Sequence, residues 1–185
     1  MEQTVMHIAL EDTGVPMKFH WLLVLGDLAS DEVSVFQSRM IEQWTALHMK
    51  RVKLSSDANI VCCIALPPIA ASEEAVAAEL MNVELNPPDQ GSTSLLLTHN
   101  TTGWSCAQWI IRALINVGER FSRIRPFSIF DLEKEHYREH FYNRICKAGD
   151  VVEQERCPSG SLKRGEFVII PWKYVWLGTR LLDAR

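Results

Sequence analysis

At 185 residues, 47% hydrophobic and 23% charged, with a formal net charge of -4, the chain has ordinary globular composition and enough length to bury one substantial core. The 19 basic residues form no long run, which argues against a nucleic-acid partner. No apolar stretch approaches the roughly 20 residues that cross a bilayer, and Met1-Glu2-Gln3-Thr4 lacks a charged-then-apolar export signal, so the expected compartment is the cytosol. The five cysteines, with Cys62 and Cys63 adjacent and the others scattered, point to reduced thiols rather than a complete disulfide framework.

Val5 to Leu10 and Lys18 to Leu25 are rich in strand-favouring residues and flank Asp12-Thr13-Gly14-Val15-Pro16, a turn-like punctuation, so a hairpin is expected. Strands are predicted at Val33 to Met40, Thr45 to Leu54 and Asn59 to Leu66. The last is a continuous apolar run ended by Pro67-Pro68, as suits a strand buried on both faces, with Cys62 and Cys63 as core. Ser72-Glu73-Glu74-Ala75 opens a short helix to Met81 that must end before Pro87-Pro88. Asn86 to Ser94 reads as a loop, and Leu95-Leu96-Leu97 as a short strand or the lead-in to the next helix.

Ser105 to Val117 carries the strongest helix signals: a capping-box pattern of Ser105 with Gln108, a stop at Gly118, and one apolar stripe of Cys106, Trp109, Ile110, Ala113, Leu114 and Val117. A second helix is expected from Ser128 or Asp131 to Ala148, closed by Gly149, and a final strand at Phe167 to Ile170 before Pro171. Strands first, then a cysteine-bearing helix, then helical cover is an α+β pattern in a single domain: an antiparallel sheet with that helix packed on it.

Two residues in this framework suggest chemistry. Cys106 falls in the first turn of its helix, where the positive end of the helix dipole favours thiolate, and His20 is the histidine set squarely within a long apolar strand-like run. A cysteine on a helix start and a histidine on a strand are the minimal equipment of a thiol nucleophile with its base. The histidine strand comes first and the cysteine helix 86 positions later. Phe19-His20-Trp21 with its apolar continuation, and Gly103-Trp104-Ser105-Cys106-Ala107-Gln108-Trp109-Ile110-Ile111, resemble the corresponding segments of the circularly permuted branch of the papain-like, NlpC-type cysteine hydrolases and acyltransferases. Within that branch the likeness is closest to small uncharacterised fungal proteins, and Val33 to Met40 resembles the strand that follows their histidine strand. It covers roughly residues 15 to 120, leaving 121 to 185 as a C-terminal helical and strand extension.

The resemblance implies a Cys106–His20 dyad acting on a small amide, thioester or peptide, with backbone amides at the helix start helping to hold the oxyanion. In these families asparagine or glycine often precedes the cysteine, where this chain has Ser105. The polar group that orients the imidazole is not marked in the sequence; His48 and Gln37 are the candidates, His48 as a third catalytic residue and Gln37 also as a pocket residue. Trp21, Trp104 and Trp109 flank the dyad and are the candidates to wall an apolar pocket, with a place in the sheet-helix core as the commoner alternative for such aromatics. Two other readings of the same residues stay open: a cyclase or isomerase of natural-product biosynthesis using that pocket, and a non-catalytic binding protein in which both residues are core.

His136-Tyr137-Arg138-Glu139-His140 formally matches the inverted zinc-peptidase helix, with Glu153, Glu155 and Glu166 as possible downstream donors but no second helix pattern to hold one. A charged, solvated helix packing by Tyr137, Phe141 and Ile145 is the preferred reading, so no metal is expected. The glycines form no phosphate loop, so no cofactor is expected either, and the expected partner is a small-molecule substrate with neither nucleic acid nor membrane.

Overall fold

A computed structural model describes residues 2–16, 18–30, 32–42, 44–85, 105–121, 132, 135–156 and 166–177. Six strands and four helices lie among them: β1 (Met6–Val15), β2 (Lys18–Leu25), β3 (Val33–Met40), β4 (Trp44–Val52), β5 (Ile60–Ala65), α1 (Glu73–Met81), α2 (Cys106–Phe121), α3 (Glu135–Glu155), β6 (Val168–Pro171) and α4 (Trp172–Leu177). The strands form one sheet in the order β4-β3-β2-β1-β5-β6, antiparallel throughout except where β6 joins β5 in parallel. The expected α+β class and antiparallel sheet are therefore observed. Among the described residues no helix is long and apolar enough to cross a membrane.

Period-two alternation divides the sheet into two faces. Leu10, Trp21, Leu23, Phe36, Cys62 and Ile64 point to the face covered by α1, α2 and α3, where they form the main core with Trp109, Ile110 and Leu114 of α2. Ala9, Leu22, Val24, Val35 and Cys63 point the other way into a second cluster. Residues 60–64 of β5 are buried on both sides, as the continuous apolar run requires. Ser72 caps α1 by accepting the Ala75 N–H, and the expected hairpin forms, but β1 continues through the stretch read as its turn as far as Val15, which pairs with Lys18; the Asp12 carboxylate accepts the N–H of Gly14, at φ 74, where the register shifts within the strand.

Later boundaries also differ from the sequence reading. Gly118 does not stop α2, which runs on to Phe121; that side chain packs against the core, and Arg120 reaches Glu79 of α1 at 3.7 Å. Gly149 does not close α3 but lies inside it, packed against the sheet: a methyl group there would sit 2.7 Å from Leu10 Cδ1 and 2.8 Å from Phe19 Cε2. The last strand does not stop before Pro171 but includes it, in register with Ala65 of β5, and α4 begins at the next residue. Asn86 to Ser94, Leu95 to Leu97 and the expected start of the second helix at Ser128 or Asp131 lie outside the described residues.

Two stability predictions follow from this packing. Gly149→Ala should destabilise the protein by about 1–3 kcal/mol in urea melts, because overpacking against fully buried Leu10 outweighs the roughly 1 kcal/mol that alanine gains in helix propensity; an unchanged or raised midpoint would show that α3 can move off the sheet. His7 on β1 is 6% exposed with no partner for Nδ1, and burial, partly opposed by Asp27, lowers its pKa to about 4. The unfolded chain binds the proton more tightly, so stability is fully present above pH 6.5 and is lost as pH falls towards 4, by about 3 kcal/mol for this group. Melts at the two ends of that window should show a shallower loss in His7→Leu than in the wild type.

Candidate functional site

Ser105 caps α2 with its hydroxyl, which accepts the Gln108 N–H at 3.2 Å, and Cys106 is therefore the first residue of the helix. Where the thiol arrives is set by the sheet. Asp12 N–H donates to Asn59 O and Leu66 N–H to Met6 O, so even-numbered residues of β1 bond towards β5 and odd-numbered ones towards β2. His20 and Leu22, opposite Glu11 and Ala9, accordingly bond back to β1, while the main-chain groups of Trp21 and Leu23 turn towards β3. Pairing between β2 and β3 runs from Leu25–Ser34 to Leu23–Phe36 and ends there. The next partners in register, Trp21 and Ser38, stand where the strands part, and the start of α2 enters at that point. The opening is a cleft of about 300 Å³ lined by Glu11, Thr13, His20, Ser38, Arg39 and Cys106, among others.

His20, Gln37, Arg39 and Glu11 share the sheet face opposite the helices and form one chain of polar contacts. Arg39 donates from Nη2 to Glu11 Oε2 at 2.7 Å and from Nε to the side-chain oxygen of Gln37. An arginine only donates, so the Gln37 atom it meets is Oε1. That oxygen lies 2.8 Å from His20 Nε2, a separation that two lone pairs would not hold, so Nε2 carries the proton and donates it to Gln37. Arg39 Nε is also 3.2 Å from Nε2, but a protonated Nε2 cannot accept from it. The neutral imidazole is thereby left with its basic lone pair on Nδ1.

Burial dominates both titrating groups. It lowers the His20 pKa, with Arg39 acting in the same sense and Gln37 and Glu11 opposing. It raises the Cys106 pKa: the residue is partly exposed at the cleft, but its sulfur sits deep enough that desolvation outweighs the main-chain N–H groups of Trp21, Ala107 and Cys106 and the charge of Arg39, all of which favour thiolate. The expectation that the helix start alone yields a thiolate is thus corrected. At neutral pH the site holds a neutral thiol and a neutral imidazole, and among the hydrogen bonds of the described residues none joins them.

The cleft brings together Cys106 and His20, and Gln37 is the group that holds the imidazole. His48 is not. It stands opposite Phe36 on β4, on the other face of the sheet from Gln37, and stacks on the Phe36 ring at 4.1 Å. Trp21 and Trp109 do not wall the cleft: at 0% and 1% exposure they are core, Trp21 stacking on Tyr142 of α3 at 5.5 Å. Alternation explains Trp21, since a strand that presents His20 to one face presents Trp21 to the other. Trp104 and Cys157 lie outside the described residues, as does the His136 side chain, while His140 is exposed; no group of three His, Cys, Asp or Glu placed to hold a metal occurs among the described residues. Sequence reasoning missed Glu11, Ser38 and Arg39. Arg39 carried a signal, being two residues from Gln37 on one strand and so on the same face.

No family model matches the chain, and neither a curated protein nor a solved structure matches it.

Cys62, Cys63 and Cys146 are at most 4% exposed, so among the four described cysteines iodoacetamide should label Cys106 first, as read by peptide mass spectrometry. With the thiol pKa raised, the labelling rate should still be climbing above about pH 8.5, the ordinary thiol midpoint. A rate already level below pH 7 would mean that the thiolate is preformed.

Proposed function

We propose that the protein is a cysteine-dependent hydrolase or acyltransferase acting on a small amide, thioester or peptide, with Cys106 as nucleophile, His20 as general base and then acid, and Gln37 as the residue that positions the imidazole. The observation that carries this reading is the 2.8 Å contact between His20 Nε2 and Gln37: the amide oxygen, itself oriented by Arg39, accepts the hydrogen bond from Nε2–H and leaves Nδ1 basic on a residue that lines the same cleft as Cys106. A strand histidine, a helix-start cysteine and a side-chain amide behind the histidine accord with the resemblance to the permuted papain-like branch.

In the reaction, the Cys106 thiol gives its proton to His20 Nδ1 as the sulfur bonds to the acyl carbon, and the carbonyl π pair moves onto oxygen. Collapse of the tetrahedral species expels the leaving group, which takes the proton back from His20, and a thioester remains. Water or an acceptor nucleophile, deprotonated by His20, then releases the acyl group and restores the thiol. Starting from a neutral pair suits such a site, because charge separates only when the substrate excludes water from the cleft and the N–H donors and Arg39 are already in place to favour the thiolate. A cleft of about 300 Å³ fits a small acyl group.

p-Nitrophenyl acetate tests the reading. Wild-type protein should release nitrophenolate and show one acetyl group on Cys106 by intact and peptide mass; Cys106→Ser should show none while melting within a few degrees of wild type. His20→Ala should slow acylation roughly 10²–10⁴-fold and Gln37→Ala about tenfold. Acetylation spread over surface amines, at a rate indifferent to His20→Ala, would end the proposal.

A further inference from the structure

Ser38 is fully buried, at 0% exposure, yet its hydroxyl has no hydrogen-bond partner. Buried polar groups are nearly always paired, and an orphan in a site calls for a reason. Its position supplies one. Ser38 follows Gln37 on β3, so its side chain turns to the opposite face, the one that α2 covers; it shares that side with Phe36, which packs in the main core. It is also the residue in register with Trp21 at the place where β2 and β3 part, and it lines the cleft with Cys106 and His20. Cys106 does not satisfy it, since the hydroxyl has no partner even at the distances sulfur permits. Ser38 and Cys106 thus both line one opening, and their side chains do not bond to each other.

We infer that the Ser38 hydroxyl is a catalytic hydrogen-bond donor to the oxyanion formed during acyl transfer, a role that rests on the thiol-acylation reading above. When the Cys106 sulfur adds to the acyl carbon and the thiol proton passes to His20, the carbonyl pair becomes an alkoxide between the sulfur and β3. Ser38 Oγ–H donates to that oxygen and keeps its own proton throughout. The same hydroxyl has nothing to bind in the resting protein, so its contribution appears only as charge develops, which is how a donor accelerates the chemical step rather than merely binding substrate. Its isolation also removes the usual penalty for deletion: taking away an unpaired buried hydroxyl leaves no partner stranded.

Two reactions of the same thiol separate this role from packing. Acylation by p-nitrophenyl acetate passes through an oxyanion; alkylation by iodoacetamide displaces iodide at a saturated carbon and forms none. Ser38→Ala should therefore acylate on the order of 10–10³-fold more slowly than wild type, alkylate at the wild-type rate, and melt at or above the wild-type temperature. Equal slowing of both reactions would assign Ser38 to positioning of the thiol and overturn the inference, as would acylation at the wild-type rate. Wild-type protein that alkylates at Cys106 but is never acylated there would instead overturn the underlying acyl-transfer reading, and the Ser38 role with it.

Discussion

The parting of β2 from β3 after Leu23 and Phe36 is the constraint on which the site depends. An intact ladder would pair Trp21 with Ser38 and close the sheet over the start of α2. Because the ladder stops, the main-chain N–H of Trp21 is free to favour a thiolate on Cys106, and a side chain from the helix face shares a cleft with side chains from the opposite face. The cleft is thus an interruption in the sheet rather than a depression on its surface. That explains how His20 and Cys106, which alternation assigns to opposite sides, line one opening.

The second determinant is electrostatic, and it runs through an arginine. Without Arg39 the amide of Gln37 would be free to present either its oxygen or its nitrogen to His20 and so to select either tautomer. Arg39 removes the choice, and Glu11 holds Arg39 in turn at 2.7 Å. The Arg39 side chain is 44% exposed, so the Glu11 pair contributes little to stability on its own account. Its importance is orientational: a salt bridge of small net energy fixes the proton on a neighbouring imidazole. The same guanidinium lowers the pKa of both His20 and Cys106, acting against a charged imidazole and for a thiolate, while burial keeps both groups neutral.

Much of the fold was legible because it follows from alternation and punctuation: the hairpin, the doubly buried β5, and the capped starts of α1 and α2 at Ser72 and Ser105. The errors share a cause. Gly118 and Gly149 read as helix stops because isolated glycine weakens a helix, but propensity is worth only about 1 kcal/mol and tertiary packing overrode it at both positions. Cys106, His20 and Gln37 were visible as residue types on the right elements. Their orientation was not, because it depends on where a ladder ends, which no local pattern encodes. Trp21 and Trp109 illustrate the limit: Trp21 follows His20 on a strand and so faces the other way, and of α2 the residue that lines the cleft is Cys106, while Trp109 packs in the core.

His48 shows how a residue outside the polar chain still bears on it. It stacks on Phe36, which is 2% exposed and directly precedes Gln37. Trp21, fully buried and stacked on Tyr142, directly follows His20. On each strand, then, a polar residue of the site is bonded covalently to an aromatic anchored on the opposite face. A strand residue cannot shift by one position without turning its side chain to the other face, so anchoring the aromatic fixes the register of its polar neighbour. The 2.8 Å contact between His20 and Gln37 is held across a place where the two strands no longer pair, with these aromatics supplying the registration that the missing hydrogen bonds would have given. Core packing on the helix face and proton placement on the cleft face are, in this sheet, the same structural decision.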